Sequence, residues 1–317
     1  MTNATVRSGD QPATRNVDED FLVEATDIVK VFHSRGGGRR ASKDEVRAVD
    51  GVSLSIREGE MFGLVGESGS GKTTFGQSIL RMHEPTSGSV RFRGEEILGL
   101  SRGQLRRLRP RMQYVFQDPF SALNPRLSIA AAIGEPMRAH GLATGNDERD
   151  RVIDVLAQCG MEADALDRYP HEFSGGQRQR IVIARAMALR PEFVVADEPV
   201  SALDVSVQGQ IVNLLCDLRD QQHTSFLFIS HDLSVVEHMC TAVAIMYRGV
   251  VVEQGTRDQI FTDPRHPYTQ ELLAAVPIAD PRERGRRRGR RASREWDDRT
   301  APRAALRDIG DGHLLAL

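Results

Sequence analysis

Cysteine is scarce in this chain: Cys159, Cys216 and Cys240 are the only three in 317 residues, odd in number and widely spaced. That excludes a disulfide framework and a Cys-x-x-Cys metal knuckle, and it reads as reduced, buried thiols of a cytosolic protein. Long apolar runs are missing as well. No stretch reaches the ~18 residues of a membrane span, and the opening MTNATVRSGDQPATRNVDED is polar without a signal-peptide core, so a soluble chain is predicted. A dominant charge sign is also lacking. The formal net charge of −2 argues against a surface built throughout to hold nucleic acid or anionic lipid. Lysine occurs three times (Lys30, Lys43, Lys72), and arginine supplies the remaining basic residues, a bias we read as compositional.

What is present is ample for a core: 40% hydrophobic and 27% charged residues, enough for one large domain or two small ones. Basic charge concentrates in RERGRRRGRR (282–291). Residues 1–19 and the basic tail 279–317 are expected to be flexible, because neither has the apolar content to offset the entropy of ordering. Between them strand and helix signals alternate without an internal repeat. Strands are predicted at 21–32, 46–57 and 60–66, in RMQYVFQD ending at Asp118, and at 192–198, 225–231, 242–249 and 251–255. Helices are predicted from Lys72 to Arg81, through most of 127–190, and at 207–221. A mixed α/β core interrupted by a helical insertion fits this order.

GESGSGKT follows the apolar strand EMFGLVG and precedes a helix, and Gly66, Gly71, Lys72 and Thr73 satisfy the spacing G-x-x-x-x-G-K-[ST]. Its glycines let backbone N–H groups converge on phosphate oxygens, so Gly66, Ser68, Gly69, Ser70, Gly71, Lys72, Thr73 and Thr74 are candidate nucleotide-binding residues. Lys72 reaches outer phosphates and the Thr73 hydroxyl ligates Mg²⁺. FVVADE supplies a strand ending in two carboxylates, Asp197 beside the Mg²⁺ shell and Glu198 placed to deprotonate a water. Together these features predict an ATP or GTP hydrolase. The Ser-Gly-Gly of FSGGQ opens a second helix with free N–H groups, a further anion site.

With FSGGQ lying between the phosphate loop and VVADEP, residues 21–278 resemble the ATP-binding-cassette ATPases. The resemblance implies a P-loop NTPase with a RecA-like core, an antiparallel β portion near the N-terminus and a helical subdomain at about 119–190. The ATPase domain would span 20–256, followed by a short C-terminal extension at 257–278. It implies two cassettes head to tail, so that Ser174, Gly175 and Gly176 serve ATP held by another chain. Gln117 matches the glutamine that reaches Mg²⁺ and the attacking water, His231 the histidine that bonds the γ-phosphate, and Asp204 lies in the segment at the dimer contact. Phe32 is the candidate for stacking on adenine, with a place in the core as the alternative.

QDPFSALNPR, DEPVSALDVSVQGQIVNLL and FTDPRHPYTQELLAAVP are similar to the ATPase subunits of oligopeptide and dipeptide importers. That likeness implies ATP and Mg²⁺ as ligands and a second ATPase subunit as partner, in a heterodimer or a homodimer. It further implies two transmembrane permeases, an extracytoplasmic solute-binding protein and a place on the cytoplasmic face of the membrane. Relatives often carry a cysteine-containing C-terminal segment for an iron–sulfur cluster; no cysteine follows Cys240 here, so no cluster is expected. The cargo stays open between peptides and solutes such as nickel, glutathione or sugar oligomers. A third reading, a cassette ATPase of nucleic-acid repair or translation with the basic tail as its arm, lacks tandem cassettes or a coiled-coil insertion, and no nucleic-acid partner is expected.

Overall fold

The computed structural model describes residues 21–33, 45–275 and 306–316. The expected flexible lead-in at 1–19, the Gly/Arg-rich loop at 34–44 and the arginine stretch at 282–291 lie outside the described residues. β1 (Phe21–His33) and β2 (Glu45–Arg57) pair antiparallel with Ala25 opposite Leu54. β3 (Met61–Val65) leads through the glycine loop into α1 (Lys72–Ile79). β4 (Ser87–Phe92) and β5 (Glu95–Glu96) then complete a four-stranded antiparallel sheet ordered β2-β1-β4-β5.

After α2 (Arg102–Leu108) and β6 (Met112–Val115) the chain turns helical: α3 (Pro119–Ala122), α4 (Ile129–Ala139), α5 (Gly145–Gln158) and α6 (Gly175–Met187). The expected strand stops short of Asp118 because Asp118 caps α3, its side chain accepting from the Phe120 N–H with Pro119 in the first turn. The remainder alternates: β7 (Phe193–Asp197), α7 (Val205–Gln222), β8 (Ser225–Ser230), α8 (Leu233–Met239), β9 (Ala242–Tyr247) and β10 (Val250–Thr256). Two helices follow, α9 (Arg257–Thr262) and α10 (Pro267–Ala275), then the strands β11 (Leu306–Asp308) and β12 (Leu314–Ala316).

The second sheet is ordered β11-β12-β10-β9-β3-β8-β7-β6. Its central strands β9, β3, β8, β7 and β6 run parallel, and β10, β12 and β11 add antiparallel at one edge. Parallel strands are covered on both faces, which is why FVVAD and SFLFIS read as unbroken apolar runs and are buried at every position. Alternate residues serve separate cores. Phe193, Val195, Leu227 and Ile229 pack toward α1 and the antiparallel sheet, whereas Val194, Ala196, Phe226 and Phe228 pack toward α4–α7. Truncating a fully buried phenylalanine such as Phe226 to alanine costs about 3–5 kcal/mol.

Residues 306–316 differ from the flexible tail expected over 279–317. β11 and β12 form a hairpin, and β12 extends the sheet by pairing with β10, Gln254 opposite Leu314. The cause is tertiary: Glu253, fully buried, accepts from His313 Nε2 at 2.8 Å and from the Arg265 and His266 N–H groups at 2.7 and 3.0 Å. One carboxylate thus ties the end of the described chain to β10 and to the start of α10.

Candidate functional site

The glycine loop leaves β3 and its backbone is crowded from both sides. A Cβ on Gly66 would meet the Met246 carbonyl oxygen at 2.1 Å, and one on Gly71 would meet that of Ala48 at 2.1 Å. Gly71 also has φ +103°, a conformation that side chains rarely adopt. Lys72 folds over the loop and donates to the Gly66 and Glu67 carbonyls, both at 2.7 Å. Burial depresses its pKa, while Glu198, Asp197 and Glu67 oppose that shift. Ser70 is buried beneath the loop, its carbonyl accepting from the Gly249 N–H at 2.8 Å.

Asp197 ends β7, is 3% exposed, and accepts from Thr73 Oγ1 at 3.0 Å through Oδ1. Desolvation raises its pKa against the opposing hydroxyl hydrogen bonds. Glu198 leaves the strand with φ +45° although it is not a glycine. Such a backbone costs about 1–3 kcal/mol and persists only where its surroundings impose it; here the Glu198 N–H is held by the Ile229 carbonyl at 2.9 Å. The turn aims the side chain at Gln117 Nε2, which donates at 2.9 Å, and at His231 Nδ1, 3.2 Å away. Three chain segments therefore converge on one carboxylate.

A cavity of about 580 Å³ opens here, its walls including Gly66, Ser68, Gly69, Gly71, Lys72, Thr73, Thr74, Gln117, Glu198 and His231, while Ser70 and Asp197 lie outside the wall. Ser174, Gly175, Gly176 and Asp204 do not line it. Ser174 caps α6, accepting from the Gln177 N–H at 3.3 Å while Gln177 Oε1 accepts from the Ser174 N–H at 3.0 Å. Asp204 stands at the N-cap position of α7 without a side-chain cap hydrogen bond, and the two helix starts touch, since a Cβ on Gly176 would meet Val207 Cγ1 at 2.5 Å. Phe32 also lies outside the cavity wall, 39% exposed on β1 with its ring edge-on to His83.

Sequence reasoning missed Tyr114, whose hydroxyl donates to Asp197 Oδ2 at 2.6 Å. It also missed a wall from the C-terminal extension, where Leu272 lines the cavity and Tyr268 Oη accepts from the Glu67 N–H at 3.3 Å. Only the parallel pairing of β6 with β7 brings Tyr114 to its partner, so strand order, not local pattern, carries that signal.

Residues 49–201 match the family described as ABC transporter, and residues 252–300 match the oligopeptide/dipeptide transporter C-terminal region. The oligopeptide transport ATP-binding protein AppF of Bacillus subtilis (strain 168) is 46% identical over 84% of this chain and 81% of its own length. The chain belongs to the ABC transporter ATP-binding family. Another member, the glutathione import ATP-binding protein GsiA of Salmonella typhimurium (strain LT2), is 45% identical over 98% of this chain; the chain spans 52% of that relative's length. Among solved structures, the dimeric post-hydrolysis state of the ATP-binding cassette MJ0796 bound to ADP and Pi superposes with a TM-score of 0.66 at 27% identity, covering 74% of this chain and 99% of that one.

Proposed function

We propose that this chain is the ATP-hydrolysing subunit of a membrane importer of oligopeptides or dipeptides, peripheral to the cytoplasmic face of the membrane. The observation that carries the reading is the convergence of Lys72, Thr73, Glu198, Gln117 and His231 around one cavity, with Asp197 bonded to Thr73 behind its wall, in a chain that continues into an importer-type C-terminal region. Among the described residues no helix is long and apolar enough to cross a membrane, so separate permease subunits would carry the cargo.

The loop fits a triphosphate, because its backbone is bare where a Cβ would collide and Lys72 is already desolvated beside it. Hydroxyl, carboxylate and amide oxygens suit a hard cation: Thr73, Asp197 and Gln117 would hold Mg²⁺, which would supply charge neutralisation for the phosphate chain. Glu198 accepts the proton of the water that attacks the γ-phosphorus. The bond to the β–γ bridging oxygen breaks, and ADP leaves with its electron pair. Gln117 orients Glu198 and the water, and His231 holds the γ-phosphate. Phe32, exposed beside the entry of β1 into its loop, stacks on adenine. Ser174, Gly175 and Gly176 close over ATP on a second ATPase subunit, with Asp204 at that contact.

The second reading is glutathione as cargo, favoured by the 98% coverage of this chain by the GsiA match. Co-purifying the chain with its membrane complex and measuring ATP-dependent uptake of a labelled tripeptide and of labelled glutathione decides between them. ATP-dependent uptake of neither, by a complex that hydrolyses ATP, would overturn both.

A further inference from the structure

We infer that Tyr114 is a positioning residue for the carboxylate that holds the divalent cation, and that its hydroxyl determines which oxygen of Asp197 faces that ion. The inference rests on the reading of Thr73 and Asp197 as metal-holding groups. Asp197 is gripped from both sides: Thr73 Oγ1 donates to Oδ1 at 3.0 Å and the Tyr114 hydroxyl donates to Oδ2 at 2.6 Å. Asp197 thus bridges α1 and β6, with one carboxylate oxygen bonded to each.

Such a double grip fixes the rotation of a carboxylate. Turning Asp197, itself 3% exposed, to offer Oδ2 or both oxygens at once breaks the bond to Tyr114 where little water can replace it. The tyrosine ring is itself held against Phe116, with ring centroids 4.8 Å apart, so the hydroxyl does not follow the carboxylate. Oδ1, beside Thr73, is therefore the oxygen offered to the ion. One-oxygen coordination suits the octahedral shell of Mg²⁺, whereas Ca²⁺ accepts both oxygens of a carboxylate readily. The Tyr114 hydroxyl thus favours the smaller ion.

The test compares the full chain with Tyr114→Phe, which removes one oxygen and keeps the ring. Mn²⁺ is titrated into each protein saturated with ADP and followed by the free-ion EPR signal, and Ca²⁺ is then measured by competition. ADP affinity is measured separately in EDTA. The expected result is a Mn²⁺ dissociation constant raised about tenfold or more in the variant, as for other groups that orient metal ligands. Ca²⁺ should weaken less than Mn²⁺, and ADP affinity in EDTA should be unchanged. Mn²⁺ affinity equal in the two proteins overturns the inference, and so does an equal loss of ADP affinity in EDTA, which marks a general collapse of the site. Failure of the unsubstituted chain to bind ADP at all would instead overturn the phosphate-loop reading, and this inference with it.

Discussion

The phosphate-loop region and the Ser174 region both open a helix and are the two starts proposed to face phosphate, yet they are finished to different degrees. Around the loop each reactive side chain is already engaged within the chain: Lys72 with two carbonyls, Asp197 with two hydroxyls, Glu198 with Gln117 and His231. At Ser174 the hydroxyl is engaged by its own helix cap, the residue is exposed, and the glycines after it face Leu203 and Val207 at the start of α7. In the proposed function the first region binds ATP within the chain, and the second is completed by a partner subunit.

The sharpest way to separate the regions is to disable chemistry without disturbing capture. Glu198→Gln should lower steady-state hydrolysis by about 10²–10⁴-fold, the usual worth of a positioned base, with ATP affinity nearly intact by equilibrium titration. Substantial turnover by this variant, paired with a partner whose own site is disabled, would remove Glu198 from its role. Lys72→Ala comes next. It deletes a cation whose charge-assisted hydrogen bonds are worth about 1.5–3 kcal/mol each, so ATP affinity should fall by at least tenfold; equal affinities would break the phosphate-loop half of the comparison.

Legibility followed the same division. The phosphate loop was readable because strand, glycine spacing and helix are contiguous, and β7 because burial on both faces leaves an unbroken apolar run. β4 and β5 went unread: SGSVRF is short and opens on an exposed Ser-Gly, and its partner β1 lies far back in sequence. The hairpin of β11 and β12 was hidden for a related reason, since its anchor Glu253 is 60 residues from His313 and the intervening stretch is polar and basic. Tyr114 was missed because its partner Asp197 is 83 residues away. Local spacing carries loops and caps; contacts made by strand order do not appear in it.

Smaller effects sharpen the contrast further. Tyr268→Phe removes the acceptor for the Glu67 N–H behind the loop, a bond worth about 0.5–1.5 kcal/mol, so ATP affinity should fall about threefold in a fluorescence titration. No change would detach the C-terminal extension from the closed region. Ser174→Ala should leave ATP binding at this chain's own loop untouched while costing about 1 kcal/mol of stability from the lost cap, read as a lowered denaturant midpoint. A fall in this chain's own ATP affinity would mean that the two regions serve one site in cis.

The most direct measurement uses Ser174→Arg in the purified complex with its partner ATPase, with a photoreactive ATP analogue trapped by vanadate and the labelled chains separated by size. A bulky cation at the open helix start should abolish trapping on the partner chain while this chain still binds ATP at its own loop. Undiminished trapping on the partner chain would contradict the two half-sites and leave Ser174 as a helix cap alone.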